Sequence, residues 1–182
     1  MLGVVLVIAA VAVIVGVCLW YIAVVNRFRV LLVKIEETDS GIEVALTKRY
    51  DLLTKMVALC RKYAEREAGT LSGLVELRRG MDVNGRSLAC RRMDEVSRQI
   101  AELAEAYPDL RSSANFKELQ TAVRETEERL RAARRLYNGN VSVFNRLLAT
   151  FPAGWVGGKL HLRPRAFFTA EEAEKADVEM AL

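Results

Sequence analysis

One histidine, His161, and three cysteines, Cys18, Cys60 and Cys90, are the residues whose types could carry nucleophilic, acid–base or metal chemistry. A zinc site needs three or four convergent ligands, and a catalytic triad needs a base within reach of a nucleophile. His161 has no Cys, Asp or Glu at ligand spacing and lies in a glycine-rich basic stretch, AGWVGGKLHLRPR. The cysteines are far apart and odd in number, so they form neither a CxxC pattern nor a disulfide framework. Cys60 and Cys90 fall on or beside apolar stripes, where a free thiol behaves as a small hydrophobe. No enzymatic activity, cofactor or metal is expected from these residues.

The polar clusters read as architecture. Glu125, Glu127 and Glu128 precede Arg129 and Arg131, with Glu125–Arg129 and Glu127–Arg131 at the favourable i,i+4 order for surface pairing on a helix. Acid–base work by paired carboxylates needs a cleft, which a solvated face does not offer. Tyr137-Asn138 and Phe144-Asn145 repeat at seven residues, which sets both asparagines beside one helix seam. An amide there fixes register through interhelical hydrogen bonds, and the Tyr107 hydroxyl is expected to do the same at a bundle edge. Arg78-Arg79, Arg91-Arg92 and Arg134-Arg135 come without aromatic stacking residues or a nucleic-acid module. Acidic residues are interleaved throughout and the net charge is only +4, so nucleic acid is not an expected partner.

The elements that must hold these residues are helices. Phe116, Leu119, Val123, Leu130, Ala133, Tyr137, Val141, Phe144, Leu148 and Phe151 recur in steps of three or four, with Thr126 filling the one vacant slot. That spacing predicts one long helix from Ala114 to about Thr150, capped by Ser112 or Ser113. Ala89, Met93, Val96, Ile100, Leu103 and Tyr107 form an earlier stripe, which Pro108 stops. Gly80 to Gly85 reads as a loop. Before it, Leu31, Ile35, Ile42, Ala45 and Leu46 form one stripe, and Leu53, Met56, Val57, Cys60, Ala64, Leu71, Leu74 and Val75 another. The pattern resets near Tyr50-Asp51, where a turn with Asp51 as N-cap and a mere kink both remain open. No strand is expected. The predicted architecture is all-α: an N-terminal transmembrane helix, then an elongated antiparallel four-helix bundle over 26–152, with helices at about 26–50, 52–79, 86–107 and 114–150. A basic then acidic tail covers 153–182.

Leu2 to Val25 is a run of 24 residues without charge, longer than the roughly 20 that cross a bilayer as a helix. This segregation explains how 52% hydrophobic and 27% charged residues share one chain. Nothing basic precedes the run and it exceeds a signal-peptide core, so a retained anchor at residues 1–25 is expected. Trp20 and Tyr21 sit where an aromatic belt marks the interface, followed by Arg27, Arg29 and Lys34. Basic charge on that flank alone predicts an inner-membrane, single-pass protein with its N-terminus outside and its domain cytoplasmic. Ala12 and Gly16 have the small-xxx-small spacing that pairs two anchors, which leaves a homo-oligomer open although such spacing is common by chance.

At this point the residues resemble a known family. AEAYPDLRSSANFKELQ, ETEERLRAARRLYN and FNRLLATFP are similar to the LemA family of bacterial membrane-anchored proteins, as are KRYDLLTKMVALCRKYAEREAGTL and the closing FFTAEEAEKADV. The chain departs from the family pattern at Thr54, where members usually carry Pro, and at Arg66-Glu67, where His-Glu is frequent. The missing Pro favours a continuous, kinked first helix. The resemblance implies one N-terminal span and a helical bundle, and little chemistry, since the family has no established enzymatic activity. Some relatives belong to magnetosome membranes, which points to membrane organisation.

The expected function is a non-enzymatic, membrane-anchored scaffold or adaptor whose protein partner the sequence does not name. The alternatives are a membrane-tethered enzyme or ligand receptor using a cleft in the bundle, and a periplasmic domain on an anchor inserted the other way. A polar pocket joining Tyr137, Asn138, Asn145 and a carboxylate would favour the enzyme or receptor. Membrane lipid is an expected partner twice over, because Trp155, Lys159, Arg163 and Arg165 suit an anionic surface. With four alternating helices the tail returns to the bilayer; with the first two fused into one rod, it points away and cannot touch lipid.

Overall fold

The computed structural model describes residues 1–63 and 83–168. All five elements among them are helices: α1 (Leu2–Arg61), α2 (Val83–Ala106), α3 (Pro108–Ser112), α4 (Ala114–Ala149) and α5 (Ala153–Lys159). The fold class is all-α, an apolar helix followed by packed helices.

Of the two possibilities left open near Tyr50-Asp51, the turn is absent, and α1 is a single helix of 60 residues. Its buried face shows why. Phe28, Leu31, Ile35, Ile42, Leu46, Arg49, Leu53, Met56 and Cys60 are buried, and every step between them is three, four or seven residues. Arg49 occupies the slot between Leu46 and Leu53, so the stripe passes through it in phase. A charged residue in a core position looked like a reset. Asp51 is consequently an exposed mid-helix residue rather than an N-cap. The helix ends at Arg61 in two tightened hydrogen bonds, Lys62 N–H to Leu59 and Tyr63 N–H to Cys60. Nothing in those residue types forces the stop, and the rest of the expected 52–79 helix lies outside the described residues.

The long seam of α4 matches its spacing closely. Phe116, Val123, Thr126, Leu130, Tyr137, Val141 and Phe144 are buried. The buried Thr126 hydroxyl donates to the Ala122 carbonyl at 2.8 Å, which satisfies it within the helix. Ser113 is the capping serine, its Oγ accepting from the Phe116 N–H at 3.3 Å. Phe151 breaks the expectation: the helix ends at Ala149, the seam phase ends with it, and Phe151 is 90% exposed. Two short helices were not foreseen. Pro108, suited to a first turn, starts α3 and buries Leu110, while α5 forms within the glycine-rich stretch. α2 begins at Val83, so the second half of the expected 80–85 loop is already helix, in a first turn whose N–H groups need no intrahelical partner. The first half lies outside the described residues.

Two compact units divide the chain. One combines Met1–Glu37 with Asn138–Ala166, and the other combines Thr38–Tyr137 with the described residues from Phe167. In the second, Asp39 meets Arg86 and Arg49 meets Asp94, so α2 runs parallel to α1, while Arg49 also meets Glu127 of α4. In the first, α4 runs antiparallel to α1: the Phe28 and Phe144 rings meet edge-on, 5.9 Å between centroids at 79°, and Asn140 donates to the Lys34 carbonyl at 3.3 Å. Within this first unit residues 138–166 pack with residues 1–37, so a continuous α1 does not carry the start of the tail away from the start of α1.

Candidate functional site

In the unit built on Thr38–Tyr137, three helices converge on one guanidinium. Arg49 is only 2% exposed and lies 2.5 Å from an Asp94 oxygen and 2.7 Å from a Glu127 oxygen. A cation removed from water must be paired, and two carboxylates from two other helices do this. A second buried arginine, Arg86, meets Asp39 at 2.7 Å. Glu127 therefore reaches across to α1 rather than to Arg131 along its own helix, which corrects the solvated-face reading for this one residue, while Glu125, Glu128, Arg129 and Arg131 are exposed as expected. Among the described residues, surface pairing along a helix forms on α2, where Arg98 holds Glu95 and Glu102 at 2.7 and 2.9 Å. The hydrogen bond from Arg98 is the main cause that holds the Glu95 carboxyl below its ordinary range.

Beside Arg49 lie two adjoining clefts. One, of about 350 Å³, is lined by Leu53, Met56, Ser97, Ile100, Phe116 and Glu127 among others. The other, of about 270 Å³, is bounded by Arg49, Asp94, Ser97, Glu127, Arg131 and Arg134. Ser97 and Glu127 line both, and the buried Ser97 Oγ has no hydrogen-bond partner among the described residues. Arg134, expected on an open polar face, instead lies under the buried Phe168 ring, its guanidinium 5.0 Å from the centroid.

The two buried thiols of this unit are chemically quiet. Burial pushes the Cys60 thiol up to about 11. Burial also raises Cys90, against the lowering influence of Arg134. A thiol held protonated is a poor nucleophile.

The remaining expected site residues have other places. Tyr107 is half-buried at the α2–α3 junction, where its carbonyl accepts from the Arg111 N–H. Tyr137 is buried in the α4 seam and Asn138 is half-buried beside it. Asn145 does not bridge two helices; its side-chain amide exchanges two hydrogen bonds, both 2.9 Å, with the Arg165 main chain. Asn140, which the sequence reading did not single out, reaches another helix, donating to the Lys34 carbonyl. Neither cleft is lined by Tyr137, Asn138 or Asn145. Of the buried groups missed, Arg49 and Phe28 both carried a usable signal, since each continues the three-and-four spacing of α1.

In the unit built on Met1–Glu37 and Asn138–Ala166, residues 1–23 are exposed along an α1 segment long and apolar enough to cross a membrane. Trp20 and Tyr21 lie near its end, with Arg27 and Arg29 exposed beyond it. α5 buries Ala153, Val156 and Gly157 and leaves Trp155 and Lys159 exposed, with the Lys159 ammonium 4.3 Å over the Trp155 ring, and Arg163 and Arg165 are exposed in the segment after it. His161, at φ 53°, is exposed in the segment that follows.

Comparison with known proteins adds two findings. The model of the LemA family matches residues 38–181. The chain is also similar to Protein LemA of Metamycoplasma hominis, 30% identical over 151 residues, which covers 80% of this chain and 69% of that protein.

Proposed function

This chain belongs to the LemA family, and from that premise we propose a non-enzymatic, single-pass membrane protein that serves as a scaffold or adaptor at the cytoplasmic face of the inner membrane. The observation that carries the reading is the use made of the buried charges. Arg49 is spent on Asp94 and Glu127, and Arg86 on Asp39, so these groups join helices to one another. The exposed apolar start of α1 supports an anchor, and the basic residues Arg27, Arg29 and Lys34 after it support a cytoplasmic domain. The test is a pair of fusions after Leu182. A reporter active only outside the cytoplasm should stay silent, and one that matures only inside should be bright. The reverse pattern would replace the proposal with a periplasmic domain.

A second reading, a ligand receptor, is favoured by the adjoining clefts that share Ser97 and Glu127. Under it, filling the larger cleft by Ser97→Phe should abolish the protein's cellular role while leaving the fold and membrane insertion intact. An unchanged role in that variant would leave the scaffold reading alone.

A further inference from the structure

We infer that α5 and the segment after it form a contact site for anionic phospholipid headgroups, in the same leaflet face from which α1 emerges. The inference rests on the proposed anchor.

The position of α5 along α1 gives the depth. Residues 1–23 are exposed, but Val24 and Val25, the last residues of the uncharged run, are half-buried and Phe28 is buried. Protein packing therefore begins within the final turn of the apolar stretch, with no spacer. α5 is one of the elements that cover this level: a Cβ placed on Gly157 would stand 3.2 Å from the Phe28 ring and collide with the Leu148 side chain. Phe28 is three residues past Val25, about 4.5 Å along a helix rising about 1.5 Å per residue. The polar layer on each side of a bilayer is roughly 5–8 Å deep. α5 is thereby held at headgroup height.

The chemistry of the exposed side fits that layer. Trp155 is 57% exposed and Phe151 90%, and an indole with an apolar body and a polar N–H suits the interface. Lys159, Arg163 and Arg165 are exposed, and no acidic residue lies between Phe151 and Phe168. Within this unit the basic residues are Arg27, Arg29, Lys34, Arg146, Lys159, Arg163 and Arg165, against only Glu36 and Glu37. A second copy of the same surface would bring like charges together, whereas an anionic leaflet attracts each of them. The segment is also held in place, because Asn145 fixes the Arg165 main chain through both ends of its amide.

The test uses the full chain in vesicles of phosphatidylcholine mixed with phosphatidylglycerol, and in phosphatidylcholine alone. Trp20→Phe leaves Trp155 as the reporter, and Trp155→Phe leaves Trp20. Nitroxide lipids labelled at the headgroup should quench Trp155 more strongly than lipids labelled deep in the acyl chain. In the mixed vesicles, adding Lys159→Ala, Arg163→Ala and Arg165→Ala to the Trp20→Phe protein should weaken that quenching, because each basic residue near an anionic leaflet is attracted to it. Quenching of Trp20 without Trp155 would overturn this inference and leave the anchor standing. Quenching of neither would overturn both. Trp155 quenching that is equal in the two vesicle types and unmoved by the three alanines would overturn the assignment to anionic headgroups.

Discussion

Arg49 and Glu127 stand 78 residues apart in the chain and 2.7 Å apart in space. With Asp94 they join α1, α2 and α4 at a point where an ordinary seam would carry an apolar side chain.

That arrangement makes the two sides of the cluster unequal. Asp94→Ala combined with Glu127→Ala leaves a buried guanidinium without a counter-charge and should cost about 3–5 kcal/mol. Arg49→Met fills the seam slot and leaves two carboxylates that are already part exposed, so it should cost far less. Urea denaturation of the full chain in mild detergent measures both. Comparable losses would mean that Arg49 is not the desolvated member.

The aromatic pair is a separate test of the α4 phase. Phe144→Ala should cost about 3–5 kcal/mol through lost transfer energy and a cavity. Glu128→Ala, on the exposed face, should cost under about 0.5 kcal/mol. A double-mutant cycle of Phe28→Ala with Phe144→Ala should give a coupling of about 0.5–1.5 kcal/mol for edge-on rings.

Gly157 and Gly158 are neighbours with opposite surroundings. A Cβ at Gly157 meets Leu148 and Phe28, while one at Gly158 meets nothing within 4 Å. Gly157→Ala should lose about 1–3 kcal/mol by overpacking. Gly158→Ala should be close to neutral. Limited proteolysis of the segment after α5 reports the difference, and equal susceptibility of the two variants would show that α5 is not seated on Phe28.

Cys60 predicts a dependence on alkaline pH. Its thiol is raised by burial from 9.0 to about 11, so the folded state disfavours the thiolate relative to the unfolded chain. The contribution is complete below pH 9.0 and is lost as pH rises through about 11. Cys60→Ala should therefore show a shallower fall in urea midpoint across that window than the unmodified chain. Parallel curves would place the alkaline loss elsewhere.

Much of this fold is legible in residue spacing because burial follows helical period. The α4 seam, the slot filled by Thr126 and the Ser113 cap all come from local patterns that tertiary packing did not override. The α1 stripe is harder, since Arg49 is a charge inside the core and Phe28, although apolar, is flanked by two arginines. Their spacing was correct, and the charge at or beside each position was misleading. The direction of α2 is not a local property, because it depends on which stretch of α1 the chain returns to after Tyr63. Likewise Glu127 offered two partners, and only the packing of α1 against α4 decides for Arg49 over Arg131.

The half-burial of Val24 and Val25 has a consequence for reach. A domain on a flexible linker sweeps a volume whose radius grows with the square root of linker length. Here the unit that contains the proposed anchor has no leash at all. Once inserted, it is confined to a thin sheet at the bilayer surface, where any partner must already be present or must descend to that height. Inserting a short Gly-Ser segment after Val25 would turn a fixed-height platform into a swinging one, with the fold itself untouched except where Phe28 receives α5.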